Sequence, residues 1–325
     1  MDGTAGLTLS HHVRSRADLL VNGWTDRKIA GAVRDGALHQ LRRGWFIDSG
    51  EREKLWEEER HRAHVIAVAR DARGPAVMSH SSAAVLWGLP LYGMRLTRVH
   101  MTTDAPHRIS SSPDVRRHVS PLRVDDVSVV GGIRCTGLAR TVFDLIRELP
   151  LEAAVAVADA GERQMASRGR EWDQDARTSW RQGLRERLER GAGVRGIRQA
   201  RWVSVFADGR AESPGESVSR LQLFRLGFES PELQVRVDGP DGRAYFVDFG
   251  LRGLRAFGEF DGRQKYVDAA LRSGKPVEQV VLEEKQREDW IRGTTHWRFA
   301  RWDTSHIKTP RALALRLAAF GLSPS

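Results

Sequence analysis

The spacing of apolar residues changes several times along the chain, and each change marks a new group of secondary-structure elements. Two short helical stripes and a hairpin come first, and helices mixed with short alternating strands follow. A highly charged helical stretch then precedes a last group in the order helix, three strands, helix, strand, helix. The pattern predicts an α/β chain, α+β overall, with four segments at residues 1–54, 55–165, 166–210 and 211–325.

The first segment has the element order of a winged helix-turn-helix. Ser15 begins a short helix, Thr25 is a suitable N-cap for a second helix, and Gly36 closes it. A hairpin with an Arg-Arg-Gly turn follows. The basic residues that such a fold presents to DNA are Arg27, Lys28 and Arg34 on the second helix and His39, Arg42 and Arg43 on the wing. We therefore predict DNA binding, the alternative being a structural cap with solvated basic residues.

The middle segment shows no catalytic constellation. His80 stands beside Ser81 and Ser82, but the sequence places no acid near them, and serine is favoured at helix N-termini. Either serine is therefore predicted to cap a helix that follows a short strand. Three further histidines lack the spacing of metal ligands, namely His100, His107 and His118.

Charge narrows the class of partner. The chain has 52 Lys and Arg against 42 Asp and Glu, a net charge of +10, which favours a nucleic-acid partner; an arginine-rich, high-GC genome is the alternative source. The segment 166–210 is predicted to be a charged helical linker with a solvated face, or one that also touches phosphate. With no apolar run that could cross a membrane, no signal peptide and one cysteine, a cytoplasmic location is expected.

Two carboxylates in the last segment occupy strand positions among apolar residues. Asp248 lies in YFVDFG and Glu259 in AFGEF, with Gly253 in a short turn between the two strands. Burying an acid is costly unless it is paired or binds a metal. A hairpin would bring both acids side by side at one end of a sheet. Glu216 lies in the first turn of the preceding helix, where an acid also stabilises the helix dipole.

Three motifs here resemble the PD-(D/E)XK superfamily, and most closely the family related to very-short-patch-repair endonucleases. They are AESPGES at 211–217, Val247-Asp248, and the Glu-Phe-Asp-Gly run from Glu259. The resemblance covers the last third of the chain. It implies a restriction-endonuclease-like α/β domain with a mixed sheet that uses Mg²⁺ or Mn²⁺ to hydrolyse DNA. The implied metal ligands are Asp248, Glu259, Glu216 and Asp261.

The sequence departs from the superfamily at one catalytic position. The usual lysine two residues after the second acid is absent, and Asp261 stands in its place. Lys265 is the nearest substitute, which makes Glu216, Asp248, Glu259 and Lys265 the candidate catalytic set. The alternative is a degenerate nuclease fold that is kept for binding.

A second resemblance covers roughly residues 10–160. The winged-helix segment, with the wing pattern from Gly36 to Phe46, and the later VMSHSSAAVLWGLPL are similar to the AbiEi-family antitoxin domain. That family implies a transcriptional repressor of a type IV toxin-antitoxin operon, with an operator or a toxin as partner. Three hypotheses therefore stand: a DNA-binding nuclease, a repressor whose nuclease-like domain is inactive, and a protein-assembly module. The sequence leaves the oligomeric state open.

Overall fold

The structure is a computed structural model that describes residues 9–72, 77–104, 112–262 and 277–324. The fold is α+β, as the apolar pattern predicts. The chain divides into two compact units, the first made of residues 1–157 and 178–204 and the second of residues 158–177 and 205–325. The segment predicted as a linker is thus shared between both units. Within the described residues, no helix is both long and apolar enough to cross a membrane.

The first unit opens with the elements of a winged helix, β1 (Arg14–Ser15), α1 (Arg16–Val21), α2 (Asp26–Arg34), β2 (Leu38–Arg42) and β3 (Trp45–Asp48). The three strands form an antiparallel sheet in the order β1-β3-β2. The predicted helix start at Ser15 and the predicted N-cap at Thr25 are confirmed. The Ser15 hydroxyl accepts a hydrogen bond from the Asp18 amide at 3.0 Å, and the Thr25 hydroxyl accepts one from the Lys28 amide at 3.2 Å. A small core holds these elements together, consisting of Leu19, Ile29, Leu38 and Phe46.

The next part of the first unit is built around a five-stranded sheet. Its helices and strands are α3 (Ser49–Glu53), α4 (Glu57–Asp71), β4 (Val77–Met78), α5 (His80–Trp87), β5 (Val99–Thr103), β6 (Val115–Val119), β7 (Val127–Val130), β8 (Ile133–Thr136) and α6 (Leu138–Glu148). The strand order in the sheet is β6-β5-β4-β8-β7. One predicted cap is wrong. Ser79 is the N-cap of α5, whereas Ser81 and Ser82 are buried in its first turn.

The charged stretch after α6 is largely helical. Its elements are α7 (Leu151–Ala166), β9 (Ser167–Arg168), β10 (Glu171–Trp172), α8 (Gln174–Arg190) and α9 (Ile197–Phe206). On α8, apolar side chains at helical spacing form a buried stripe of Trp180, Leu184 and Leu188. This helix therefore has a packed face as well as a charged one.

The second unit carries the predicted order of helix, three strands, helix, strand and helix. The bounds are α10 (Pro214–Arg225), β11 (Glu232–Asp238), β12 (Ala244–Leu251), β13 (Ala256–Phe260), α11 (Val277–Thr295), β14 (Arg298–Trp302) and α12 (Pro310–Ala318). The sheet runs β11-β12-β13-β14, antiparallel except for the parallel pair of β13 and β14, so it is mixed. Ser213 caps α10 and Pro214 occupies its first turn.

Candidate active site

The strand register brings the two strand acids side by side. Phe249 pairs with Gly258 across β12 and β13, and one further step along the same register sets Asp248 opposite Glu259. The backbone amide of Phe260 donates a hydrogen bond of 2.9 Å to Oδ2 of Asp248, which ties the two strand ends together. The hairpin interpretation of the sequence requires this arrangement.

Both acids line one open pocket of about 700 Å³. The described residues of its wall carry five carboxylates and three guanidiniums. The carboxylates belong to Asp248, Glu259, Asp261, Glu283 and Glu284, and the guanidiniums to Arg243, Arg287 and Arg301. Such a mixture can hold a cation on its oxygens and an anion, such as a phosphate group, on its arginines.

Glu259 is the most deeply buried acid of the pocket and has two arginine partners. It is 8% exposed and forms ion pairs with Arg287 and, at 3.0 Å, with Arg301. Both arginines also bind Glu284, and Arg301 reaches Glu288 at 2.8 Å. The carboxylate of Glu259 is therefore a member of an ion-pair network that extends from β13 to α11 and β14.

Burial raises the pKa of the Glu259 carboxyl to about 7, and the neighbouring Asp248 adds to the rise, while Arg287 and Arg301 oppose it. Burial also disfavours the charged form of both arginines, but Glu284 and Glu259 together raise the pKa of each one above its ordinary value. The guanidiniums consequently remain charged across the whole physiological range. Within the network, Arg287 and Arg301 keep their charge, whereas the carboxyl of Glu259 can change its protonation state near neutral pH.

Glu216 is buried on the helix that packs beside these strands. Its Oε1 accepts a hydrogen bond from the Ser213 hydroxyl at 2.8 Å, and its Oε2 accepts from the Glu212 amide at 2.8 Å and from Gln234 at 3.1 Å. Gln234 lies between the paired positions of β11 and β12 that flank Asp248, with a φ of 53°. The Gln234 side chain thus connects Glu216 to the strand position opposite Asp248.

Of the other two predicted site residues, Asp261 is described by the structure and Lys265 is not. Asp261 lines the pocket, and its carboxylate lies 3.7 Å from Arg301. Lys265 lies outside the described residues. Among the described residues, one group of three potential metal ligands has its ligand atoms all within 4.8 Å of one another, and it consists of His80, His100 and His118. The described acids of the pocket do not form such a group of three. The oxygen donors suit Mg²⁺ in kind, and a shared ion would require Glu259 to release an arginine.

The basic residues predicted for DNA binding divide into two groups. Arg27, Lys28, Arg34 and Arg43 are exposed on α2 and on the turn between β2 and β3. Arg42 instead forms ion pairs with Asp71 at 3.4 Å and Asp114 at 3.5 Å.

His39 is half-buried, and burial lowers the pKa of its imidazole, with Arg52 and Arg60 adding to the effect. The residues best placed to meet a phosphate are therefore Arg27, Lys28, Arg34 and Arg43.

Sequence reasoning missed Arg287 and Arg301 as members of the pocket. The former lies three residues after Glu284 on α11, a spacing that puts both on one helix face. The latter stands opposite Glu259 in the parallel pairing of β13 and β14. The available signal was indirect: a carboxylate placed among apolar residues needs a cationic partner or a metal, and arginine is the usual buried cation.

Comparisons with known proteins leave the activity open. No family model matches this chain. Two proteins from strains of Mycobacterium tuberculosis, both named as uncharacterized, are each 35% identical to it over 132 residues. The match spans 41% of this chain and 44% of each relative, so the chain covers less than half the length of the curated relatives.

Proposed function

We propose that the protein binds DNA through its winged helix and hydrolyses phosphodiester bonds in the acid and arginine pocket of its second unit. One observation carries the proposal: Asp248 and Glu259 adjoin the paired residues Phe249 and Gly258 of two adjacent strands, and both line one open pocket. The mixed sheet between helices, in the order that the sequence motifs imply, supports the same conclusion. We also propose that the chain joins an AbiEi-like N-terminal region to a PD-(D/E)XK domain. The proposed location is the cytoplasm.

The pocket residues have distinct roles in this proposal. Asp248 and Glu259, with Asp261 beside them, offer the carboxylate oxygens that Mg²⁺ or Mn²⁺ prefers. A bound ion of this kind supplies positive charge and lowers the pKa of a water molecule. Arg287 and Arg301 are placed to bind the scissile phosphate and to offset its developing charge, the task that a lysine performs in the superfamily pattern. Lys265 remains a second candidate for that task.

Glu216 has a supporting role in the same proposal. It is 1% exposed, and its oxygens fix the start of α10 and the Gln234 side chain. Those contacts hold the strand position that faces Asp248. Glu216 therefore acts as a positioning residue unless an ion draws it towards the pocket.

A second candidate function is a transcriptional repressor of the antitoxin type whose nuclease-like unit is inactive. The observation that favours it is the ion-pair network around Glu259, whose charge is already balanced by two guanidiniums. A carboxylate in that state needs no metal. The two candidates share DNA binding and differ only in whether the pocket cuts.

The test is cleavage of plasmid DNA by the full chain with Mg²⁺ or Mn²⁺ and, in parallel, with a chelator. We expect metal-dependent nicking that disappears in Asp248→Asn. Arg287→Gln should cut about 100-fold more slowly, because a charge that stabilises the transition state is lost. Asp238→Asn is the matched control, since this acid ends the neighbouring strand and its side chain is 84% exposed. No cleavage by the wild type on supercoiled, linear and single-stranded DNA would favour the repressor.

A further inference from the structure

Three histidines that are far apart in the sequence meet in the first unit. His80 begins α5, His100 lies in β5, and His118 lies in β6. The ring centroids of His80 and His118 are 3.8 Å apart in a stacked arrangement, and Nε2 of His118 is 3.1 Å from Nδ1 of His100. Each side chain offers a nitrogen that lies within 4.8 Å of the others. The spacing of these histidines along the sequence does not predict that they meet, and the fold brings them together.

The fold explains why these side chains converge. β5 and β6 are parallel, and His118 pairs with Thr102, so His100 and His118 project from the same face two positions apart. His80 adopts a left-handed φ of 51°, a conformation that is unfavourable for a residue with a β-carbon. Its imidazole is held by the Ser79 hydroxyl at 3.0 Å. The strained backbone of His80 directs its imidazole towards His100 and His118. Packing of a hydrophobic core alone does not require such strain.

The three imidazoles are shielded from solvent to different degrees. His80 is 6% exposed, and His100 and His118 are half-buried. Imidazole nitrogens that are partly withdrawn from water and lie close to one another are suited to hold a metal ion.

A carboxylate stands beside the three rings. Oε1 of Glu148, at the end of α6, is 3.5 Å from Nε2 of His80. Three imidazoles and a carboxylate form a donor set that suits Zn²⁺ and similar transition metals, whereas Mg²⁺ and Ca²⁺ prefer oxygen ligands alone.

We propose that His80, His100 and His118 form a binding site for a divalent transition metal of the zinc class, with Glu148 as a fourth ligand or as the group that orients His80. Binding replaces the hydrogen bond between His100 and His118. It also turns the His80 ring out of its stack on His118, because an ion is held by lone pairs in the ring plane. The site is chemically distinct from the acid pocket of the second unit, which offers oxygen donors.

The test is a titration of chelator-treated, tag-free full-length protein with Zn²⁺, followed by calorimetry, and with Co²⁺, followed by its visible absorption. We expect one equivalent of each metal to bind the wild type and the imidazole signals of three histidines to shift on Zn²⁺ addition. His118→Ala should lose the site. Glu148→Gln should weaken it about tenfold or more if the carboxylate orients His80. His306→Ala is the control, because that histidine pairs with Asp303 in the other unit.

The proposal does not depend on the folding of a variant. Wild-type protein that binds neither Zn²⁺ nor Co²⁺ stoichiometrically would overturn it directly. Binding that persists unchanged in His118→Ala, with an unaltered circular dichroism spectrum, would overturn it as well. His100→Gln gives a second and milder ligand loss, for which we expect weaker metal binding and retained secondary structure.

Discussion

Buried acids occur at several residues of the second unit, and only their surroundings distinguish structural ones from candidate ligands. Asp159 is 1% exposed and accepts two hydrogen bonds from one nitrogen of Arg220, at 2.8 and 2.9 Å, while Glu162 accepts one from Arg177 at 2.8 Å. These acids hold the fold together. Glu259 is comparably paired but opens onto a pocket with other acids. An arginine partner alone therefore says little about function.

His61 gives a residue-scale prediction about pH. Burial, with His64 adding, lowers the pKa of this imidazole from 6.5 to about 4. Unfolding between those two values takes up a proton, so the stabilisation is complete above the unfolded pKa and is lost as the pH falls towards the folded one. We expect His61→Gln to reduce the pH dependence of the free energy of unfolding by about 1.4 kcal/mol per pH unit in that window.

Urea denaturation of the wild type and His61→Gln at a series of pH values from about 7 down to about 4.5 measures this difference. Burial lowers the pKa of His100 and His118 as well, and both are present in both proteins, so only the part of the His100 shift that His61 causes differs between them. Equal slopes for the two proteins would show that His61 is protonated in the folded state.

At the residue scale, the sequence identified the acids of the pocket but not their counter-charges. Asp248 and Glu259 could be predicted because the turn at Gly253 fixes a hairpin register. Arg287 and Arg301 could not, since their positions depend on how α11 and β14 pack against β13. His100 and His118, with His107, show no metal-ligand spacing in the sequence, because spacing along the chain carries no information about which residues meet across a parallel pair of strands.

At the scale of elements, the packing of α10 against β13 sets the position of the pocket acids. A β-carbon added at Gly215 would lie 2.0 Å from the ring of Phe260, which lies between Glu259 and Asp261. We expect Gly215→Ala to reduce the free energy of unfolding by about 1–3 kcal/mol through overpacking. The displaced ring should also lower any nuclease activity by shifting both neighbouring acids.

Gly293→Ala is the matched control in α11, because an added β-carbon there meets no atom within 4 Å. Alanine in an exposed helix position should increase stability by about 1 kcal/mol. Urea denaturation and plasmid nicking of both variants provide the measurement. Equal stability of the two alanine variants would contradict the close packing of Gly215 on Phe260.

The start of a helix could be predicted from the sequence where a serine or threonine precedes a regular first turn. Ser15 and Thr25 stand at helix starts as predicted, since the hydroxyl of each accepts a hydrogen bond from an amide of a regular first turn. The prediction failed at α5, where Ser79 and not Ser81 or Ser82 is the cap. Its hydroxyl bonds the His80 ring, and the unusual φ of His80 cannot be inferred from residue type.

At the scale of the whole molecule, the net charge of +10 leads to a prediction about the salt dependence of DNA affinity. The exposed cations of the winged helix should each release a counterion, so Arg27→Ala, Lys28→Ala and Arg43→Ala should each reduce the slope of log affinity against log salt by about 1. Arg134→Ala, an exposed arginine on β8 of the same unit, should leave the slope unchanged. Gel shifts at several salt concentrations measure it, and an unchanged slope in the triple variant would remove DNA binding from the winged helix.

The central claim concerns the pocket at Asp248 and Glu259, and a crystal structure of the full chain soaked with Mn²⁺ tests it most directly. We predict an anomalous difference peak within coordination distance of both carboxylates, with Arg287 or Arg301 moved away from Glu259. A structure at saturating Mn²⁺ that shows no peak there, and Glu259 still paired with both arginines, would contradict the proposed metal-dependent hydrolase.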